Sequence, residues 1–513
     1  MTAAAEADTP MTPLRRALLT AAAMAATLMQ VLDTSIANIA LPHMQAALNA
    51  TQESVTWVLT SYMLAMAVMT PLTGTLDNLL GRRNLFTICV GGFTLASAVC
   101  GAAPNLTTMV LSRICQGIFG ALLLPLSQTV MLDIYPFEER AKALTIWSTG
   151  TMIGPISGPF VGGMITENLT WRWVFYVNVP FGIICTLALW LLLAPAKAPR
   201  KRFDLFGFVL LATALASLQL MLDRGTQLDW FDSREIVLEA GVAAATAWMF
   251  LIHTWTGRSP LLPRSLFLDR NFIMAMALML GVVGLLYSSQ TLLPPLLQQL
   301  MHYNSQQAGL LMMPRSLGMT VAMILAGRLV SRIKPRVMIL CALLSLSFSQ
   351  HLLTGIELQM DSTTVIVAGS IQGISLGFIV TQLSIVAYST LHARLRTDAT
   401  AVFSMCRNLS ASVAIAIMGA LVARNLQVAH SEIGANLTQF SMPMLDDRLI
   451  NQLGHTGGMV AAMVDAEVNR QAMMIAYIDD FWVMMWAALI AMPIVMLLRP
   501  GGQPKGKPEL VAE

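Results

Sequence analysis

Charge is scarce in this 513-residue chain: Asp, Glu, Lys and Arg together make up 12% of it, against roughly a quarter in soluble domains. Cysteine is scarce as well, and Cys89, Cys100, Cys115, Cys185, Cys341 and Cys406 show no paired metal-ligand spacing. All of them lie inside apolar runs, where a thiol packs as a small hydrophobe. No Gly-x-x-x-x-Gly-Lys-Ser/Thr loop is present to cradle a phosphate, and no His-Glu-x-x-His helix to hold zinc. ATP hydrolysis by that route and zinc-protease chemistry are thereby excluded, and no enzyme, metal or cofactor is expected. A cleavable leader is not expected either: Glu6 and Asp8 precede Arg15 and Arg16, and no small-residue cleavage site follows. What fills the space is apolar sequence, at 56%. A soluble core cannot absorb that much. The composition points to an all-α polytopic membrane protein.

Fourteen apolar runs can be marked, roughly 16–41, 54–73, 84–103, 106–132, 141–165, 172–195, 204–222, 236–256, 273–295, 307–330, 336–355, 363–388, 400–424 and 480–498. Each approaches or exceeds the length of about 20 residues that crosses a bilayer. Basic residues fix the orientation, because cytoplasmic segments are enriched in Lys and Arg. With the N-terminus inside, those segments hold Arg15, Arg16, Arg82, Arg83, Arg140, Lys142 and the cluster Lys197, Arg200, Lys201, Arg202. Further along they hold Arg258, Arg264, Arg270, Arg328, Arg332, Lys334, Arg336, Arg394, Arg396, Arg499, Lys505 and Lys507. Both termini are therefore expected in the cytoplasm. The basic, Pro-containing link Ala196 to Phe203 suggests a hinge between two bundles. The largest outward segment, 425–478, is of mixed polarity. Its amphipathic pieces Leu445 to Leu453 and Met459 to Ile475 read as helices on or above the outer membrane face.

The first run carries a charge where hydrocarbon is expected. A carboxylate there costs about 2.5–3.5 kcal/mol on insertion scales, so Asp33 needs a partner, a proton or a water-filled cavity. Gln30, Asp33, Thr34, Ala37 and Asn38 fall at helical spacing and form one polar stripe. The stripe is expected to face a cavity between helices. Arg113 in the fourth run lies at nearly the same depth, reckoned at about 1.5 Å per residue. An acid beside an arginine, with one side opening to water, has the physics of a proton-exchanging site; a static buried ion pair is the alternative.

Other residues suggest movement and binding. Gly150, Gly154, Gly158 and Gly162 recur every four positions, with Gly163 following, and make a smooth face for a close helix neighbour. Pro155 and Pro159 remove backbone donors from the same run and should bend it. The stretch Gly74, Asp77, Gly81, Arg82, Arg83 reads as a turn carrying a charge latch, or simply as a topology determinant. It is echoed by Gly327-Arg328 after the tenth run, as Arg113, Gln116 and Gly117 are by Gln372 and Gly373 in the twelfth. Such duplication is a common transporter plan. Arg315 and Arg407 lie within spans and either touch the route or bond to backbone carbonyls. The 36 methionines suit either a pocket for varied apolar ligands or ordinary packing. The side chains expected near a pocket are Gln30, Asn38, Tyr62, Met66, Gln116, Tyr287, Gln290 and Arg407.

These residues together resemble the major facilitator superfamily, in particular its fourteen-span drug:proton antiporters of the EmrB type. Leu32-Asp33-Thr34-Ser35-Ile36-Ala37-Asn38 to Pro42 is similar to that branch's first-span motif, Arg113 to Gly117 to the fourth-span motif, and Gly150 to Gly163 to the fifth-span antiporter signature. Trp171 to Gly182 resembles the start of the sixth span, and Leu218 to Phe231 resembles the EmrB type specifically. One departure stands out: the acid expected four positions after Gly74 is Asn78, with Asp77 one earlier and Ser331 in the echo. The resemblance implies two six-helix bundles with two additional helices between them. The corresponding divisions are a tail 1–14, a first bundle 15–196, a linker with two spans 197–260, a second bundle 261–498 including 425–478, and a tail 499–513. It further implies a bacterial inner-membrane location and proton-driven export of amphipathic drugs by alternating access. The proton gradient is the energy source, Asp33 and Arg113 are the coupling groups, and a periplasmic adaptor and an outer-membrane channel are partners. Export of a specific endogenous metabolite or lipid-like compound is the alternative on the same scaffold. A non-transporting receptor or scaffold is the alternative of a different class.

Overall fold

The computed structural model describes residues 12–136, 139–195, 203–257, 261–303, 305–330, 332–357, 362–391, 395–436 and 458–498, and among these no strand occurs. The chain is a succession of long helices. In order they are α1 (Pro13–Ala47), α2 (Trp57–Leu80), α3 (Arg82–Ala102), α4 (Leu106–Ile134), α5 (Arg140–Asn168), α6 (Trp173–Leu192), α7 (Leu205–Arg224) and α8 (Arg234–Thr256). Then come α9 (Arg270–Leu300), α10 (Ser305–Leu329), α11 (Pro335–Thr354), α12 (Thr363–Ser389), α13 (Arg396–Asn436) and α14 (Gly458–Ile490), the last continued by a short helix Met492–Met496. Thirteen of these are long and apolar enough to cross a membrane. The other, α5, runs 29 residues, about 43 Å at the helical rise and longer than a bilayer's hydrocarbon core.

Local chemistry sets the helix starts. Asn105 accepts a hydrogen bond from the Thr108 amide at 2.8 Å to open α4, and Asp269 accepts one from Phe272 at 2.9 Å to open α9. Asp204 opens α7 in the same way, with the Gly207 amide at 2.9 Å, and also accepts from His253 of α8 at 2.9 Å, so one carboxylate starts a helix and ties it to the next. Such caps satisfy amides that the helix itself leaves free. The stretch expected as a flexible turn after the second span is instead helical through Leu80. Only Gly81, at φ 77°, leaves the helical region, a conformation that glycine adopts without strain.

Helices α1–α6 form one bundle, and α9–α14 form a second. The pair α7 and α8 pack on each other, and α7 bridges α2 of the first bundle and α13 of the second. The packing is reciprocal. Gly74 near the end of α2 has no side chain where Asp398 at the start of α13 comes in, and Gly327 near the end of α10 likewise receives Thr145 at the start of α5. The spacing from Gly74 to Gly327 equals that from Thr145 to Asp398, so the echo read in the sequence is a structural duplication. One apolar core lies within the first bundle around Phe86, Phe93 and Leu122, and another within the second around Leu297, Tyr477 and Phe481. The largest joins Leu72, Leu132 and Leu144 to α7 and to the second bundle, and welds the halves at one end.

The segment 425–478 differs from the surface helices expected there. Its first part simply extends α13 to Asn436, and Met459 to Ile475 is the beginning of α14, continuous with the final span. Turn-by-turn hydrogen bonding continues because nothing in either stretch breaks it, and the amphipathic pattern serves packing between the two long helices. Residues 1–11, 196–202, 437–457 (with Leu445 to Leu453) and 499–513 lie outside the described residues, as do the side chains of Asn38, Pro155 and Pro159.

Candidate functional site

The acid of α1 meets the arginine of α4. Asp33 Oδ2 accepts from Arg113 Nη1 at 2.6 Å, and both side chains are fully buried. Asp33 Oδ1 accepts from Gln116 Nε2 at 2.8 Å and from Asn178 Nδ2 of α6 at 3.1 Å. Ser97 of α3 closes the ring, accepting from Gln116 at 3.2 Å and from Asn178 at 3.3 Å while donating to the Phe175 carbonyl at 3.0 Å. Arg113 has further contacts: Nε donates to the Val58 carbonyl at 3.0 Å, Nη1 also reaches Gln116 Oε1 at 2.7 Å, and the guanidinium lies 4.0 Å from the Tyr62 ring centroid, while Nη2 has no hydrogen-bond partner among the described residues. A desolvated cation over an aromatic face gains up to about 2 kcal/mol. Gly117 lets α4 come this close to α2, for a Cβ there would stand 2.6 Å from the Tyr62 carbonyl oxygen.

The carboxylate is thus enclosed within its own bundle, where the polar stripe had been expected to line an open cavity. Gln30, also buried, reaches the Met66 sulfur at 3.8 Å. Tyr62 belongs to the charged cage as a platform under Arg113. Tyr287, Gln290 and Arg407 are half-buried on the second bundle, and the distances place none of them in the cage. Arg315 is buried and donates to the Leu286 carbonyl at 3.0 Å. Sequence reasoning missed Ser97 and assigned no role to Asn178, although an amide in the apolar start of the sixth span was a visible signal.

A second polar cluster sits where the bundles meet. Asp77 pairs with Arg82 at 2.8 Å, and Thr397 of α13 bonds both, at 2.9 Å to Asp77 and 3.0 Å to Arg82. Arg82 also pairs with Asp133, which Arg396 of α13 contacts at 3.2 Å. Thr129 and Thr400 bond at 2.9 Å, and Tyr388 reaches Gln128 at 3.3 Å. One residue of displacement from the family position does not prevent Asp77 from making its pair. Arg83 takes no part in this cluster; its guanidinium stacks 4.4 Å from the Trp190 ring. The glycine face of α5 is used differently from the expected sliding surface. Gly150, Gly154 and Gly158 receive Met24, Val31 and Ser35 of α1 within the same bundle, Gly162 is buried, and Gly163 meets nothing within 4 Å. The string Gly373-Ile374-Ser375-Leu376-Gly377 has the spelling of a hydrolase elbow but lies mid-helix in α12, with Ser375 bonded back to Ile371 at 2.8 Å. An elbow needs a strand-to-helix turn.

The two-bundle fold is matched by comparison with known proteins. The family model of the Major Facilitator Superfamily matches residues 23–415. The chain belongs to the major facilitator superfamily. It is 32% identical over 479 residues to the fatty acid resistance protein FarB of Neisseria gonorrhoeae, covering 93% of this chain and 94% of that protein. It is 30% identical over 490 residues to the multidrug export protein EmrB of Escherichia coli strain K12, covering 94% of this chain and 95% of that one. Among solved structures, the proton:xylose symporter XylE aligns with a TM-score of 0.60 at 14% identity, over 96% of this chain and 97% of that one, a likeness of fold alone. This superfamily member is a multi-pass membrane transporter of EmrB-type resemblance.

Proposed function

We propose that this transporter is a proton-driven antiporter that exports amphipathic drugs and toxic compounds from the cytoplasm or inner membrane by alternating access. The observation that carries the reading is the buried cage around Asp33. An acid with three polar partners on two other helices is a natural switch: a proton taken by Asp33 weakens its hold on Arg113, Gln116 and Asn178 together. In the mechanism that follows, Asp33 is protonated when its surroundings open outward and releases the proton inward, with Arg113 tuning that equilibrium and the substrate competing for the same state. The basic residues put the Arg82 end in the cytoplasm, with both termini there. The hydrogen bonds that Thr397 donates to Asp77 and accepts from Arg82 then act as an inner latch that parts when the cavity opens inward. The divisions 15–196, 197–260 and 261–498 serve as the moving units. By analogy with tripartite pumps, the chain is the inner-membrane member, working with a periplasmic adaptor and an outer-membrane channel.

The test is proton-gradient-driven ethidium transport in proteoliposomes. Asp33→Asn is expected to abolish gradient-coupled flux, and full coupled flux in that variant would overturn the role of Asp33. A second reading, export of a lipid-like acid, is favoured by the similarity to FarB, whose name records fatty acid resistance. Competition by laurate for ethidium flux separates the two readings.

A further inference from the structure

The second bundle contains a carboxylate that the mechanism above does not use. Asp480 of α14 is fully buried, and neither carboxylate oxygen has a hydrogen-bond partner. No ion pair reaches it among the described residues. Asp33, equally buried, is by contrast held by one arginine and two amides. Position sharpens the contrast. In the first bundle Asn178 stands one turn before Gly182, which packs against Thr94 of α3. In the second, Asp480 stands one turn before Met484, whose sulfur receives Gln350 of α11 at 3.3 Å. The two residues therefore occupy matching places on the last helix of each bundle, one an amide that serves an acid and the other an acid with nothing to serve it.

The neighbouring ionisable groups leave Asp480 alone. His430 of α13 pairs with Asp465 at 3.1 Å, about four turns away along α14. Arg407 and Arg424 of α13, His351 of α11 and Tyr287 of α9 are on helices packed against α14, and Tyr477 and Asp479 are on its own helix. None of them forms an ion pair or hydrogen bond with it. An ionised carboxylate in such a place has neither water nor a counter-charge, whereas a neutral acid needs much less.

We propose that Asp480 is a second proton-binding site, carrying its proton in this conformation and exchanging it with solvent when the second bundle rearranges. Loading adds a solvent proton to one carboxylate oxygen and gives the neutral acid; unloading returns the proton to water and leaves the carboxylate. Its part in transport rests on the proton-driven reading, but its protonation does not.

Infrared spectroscopy of the full-length protein in lipid tests it without a substrate. At neutral pH the wild type and Asp33→Asn should both show the carbonyl band of a protonated carboxyl group, which Asp480→Asn should lack. The band should shift after transfer to deuterated buffer. A band that survives in Asp480→Asn means that Asp480 is not its source and ends the proposal. A band that is lost in Asp480→Asn but never shifts in deuterated buffer marks a static buried acid and ends it too. Asparagine mimics the neutral acid in size, so the variant should fold, and size-exclusion elution matching the wild type verifies it. If Asp33→Asn retained coupled ethidium flux while the Asp480 band behaved as expected, only the earlier reading would fail.

Discussion

The two bundles repeat one framework and fill it with opposite electrostatics. Gln116 bonds Asp33 at 2.8 Å in the first, and Gln372 bonds Ser289 at the same distance in the second. Gly117 lies against the carbonyl of Tyr62, and Gly373 against that of Arg315. Asp33, Arg113, Gln116 and Gly117 are each as far from Ser289, Gly369, Gln372 and Gly373 in sequence as the others, so these are corresponding places. Where the first bundle has a matched acid and arginine, the second has a serine and a glycine. Two of its own buried charges, Arg315 and Asp480, form no ion pair with one another. The lesson is that duplication preserved the glycine-carbonyl contacts and the glutamine, which hold helices together, while the charged groups diverged. In the first bundle Asp33 and Arg113 compensate each other within the structure; in the second, Arg315 and Asp480 have no counter-ion among the described residues.

The strongest way to break this comparison is to remove the two arginines in turn. Arg113→Ala leaves a buried carboxylate without its counter-ion, which costs about 3–5 kcal/mol. A large drop in melting temperature in detergent is therefore expected, and much of it should be recovered when Asp33→Asn is added. Arg315→Gln removes a buried cation that no acid among the described residues balances, so its melting temperature should stay level or rise. Equal drops for the two single variants would refute the contrast between the bundles.

The shared framework predicts shared sensitivity. Gly117→Ala and Gly373→Ala each drive a methyl group into a backbone carbonyl, which cannot move aside as a side-chain tip can. Each is expected to cost about 1–3 kcal/mol. Thermal unfolding that penalised only one would mean that the two contacts are not equivalent. A smaller effect is expected at the latch. Thr397→Ala removes the neutral hydroxyl that bonds both Asp77 and Arg82, worth about 1 kcal/mol, or roughly a fivefold shift in an equilibrium. Alkylation of a cysteine placed at Thr400 should accelerate by that factor, and an unchanged rate would mean that the latch does not hold the halves together.

Much of this was legible in the sequence. Thirteen of the fourteen long helices follow from apolar length alone, and the pairing of Asp33 with Arg113 followed from matching depth in antiparallel spans. Both depend on rules that act along one helix at a time. What was hidden depends on three or more helices converging. Ser97 is an ordinary serine in an apolar run until Gln116 and Asn178 arrive on either side. The partner of the glycine face could not be read because glycine specifies closeness and not the identity of what comes close; it proved to be α1. Asp480 sat unnoticed at the border of an apolar run, where an acid looks like the edge of a loop. Its burial became visible only once α14 was seen to continue unbroken from Gly458.

The smallest expected effect is also the most local test of that glycine face. At Gly154 an added Cβ would lie 2.7 Å from Val31 Cγ1 and 3.3 Å from the Leu32 amide nitrogen, whereas at Gly163 it would meet nothing within 4 Å. Both residues are inside α5 and both interrupt a motif that reads as one unit. Spacing alone would make them equally intolerant. The packing says otherwise. Gly163→Ala relieves the backbone entropy that glycine loses in a helix, worth up to about 1 kcal/mol in favour of the variant. Gly154→Ala gains the same term but must push α1 away, and should be destabilised on balance. Melting temperatures that fall alike for both would mean that a neighbour approaches Gly163 in another state of the transport cycle, extending the close-packed face of α5 beyond α1.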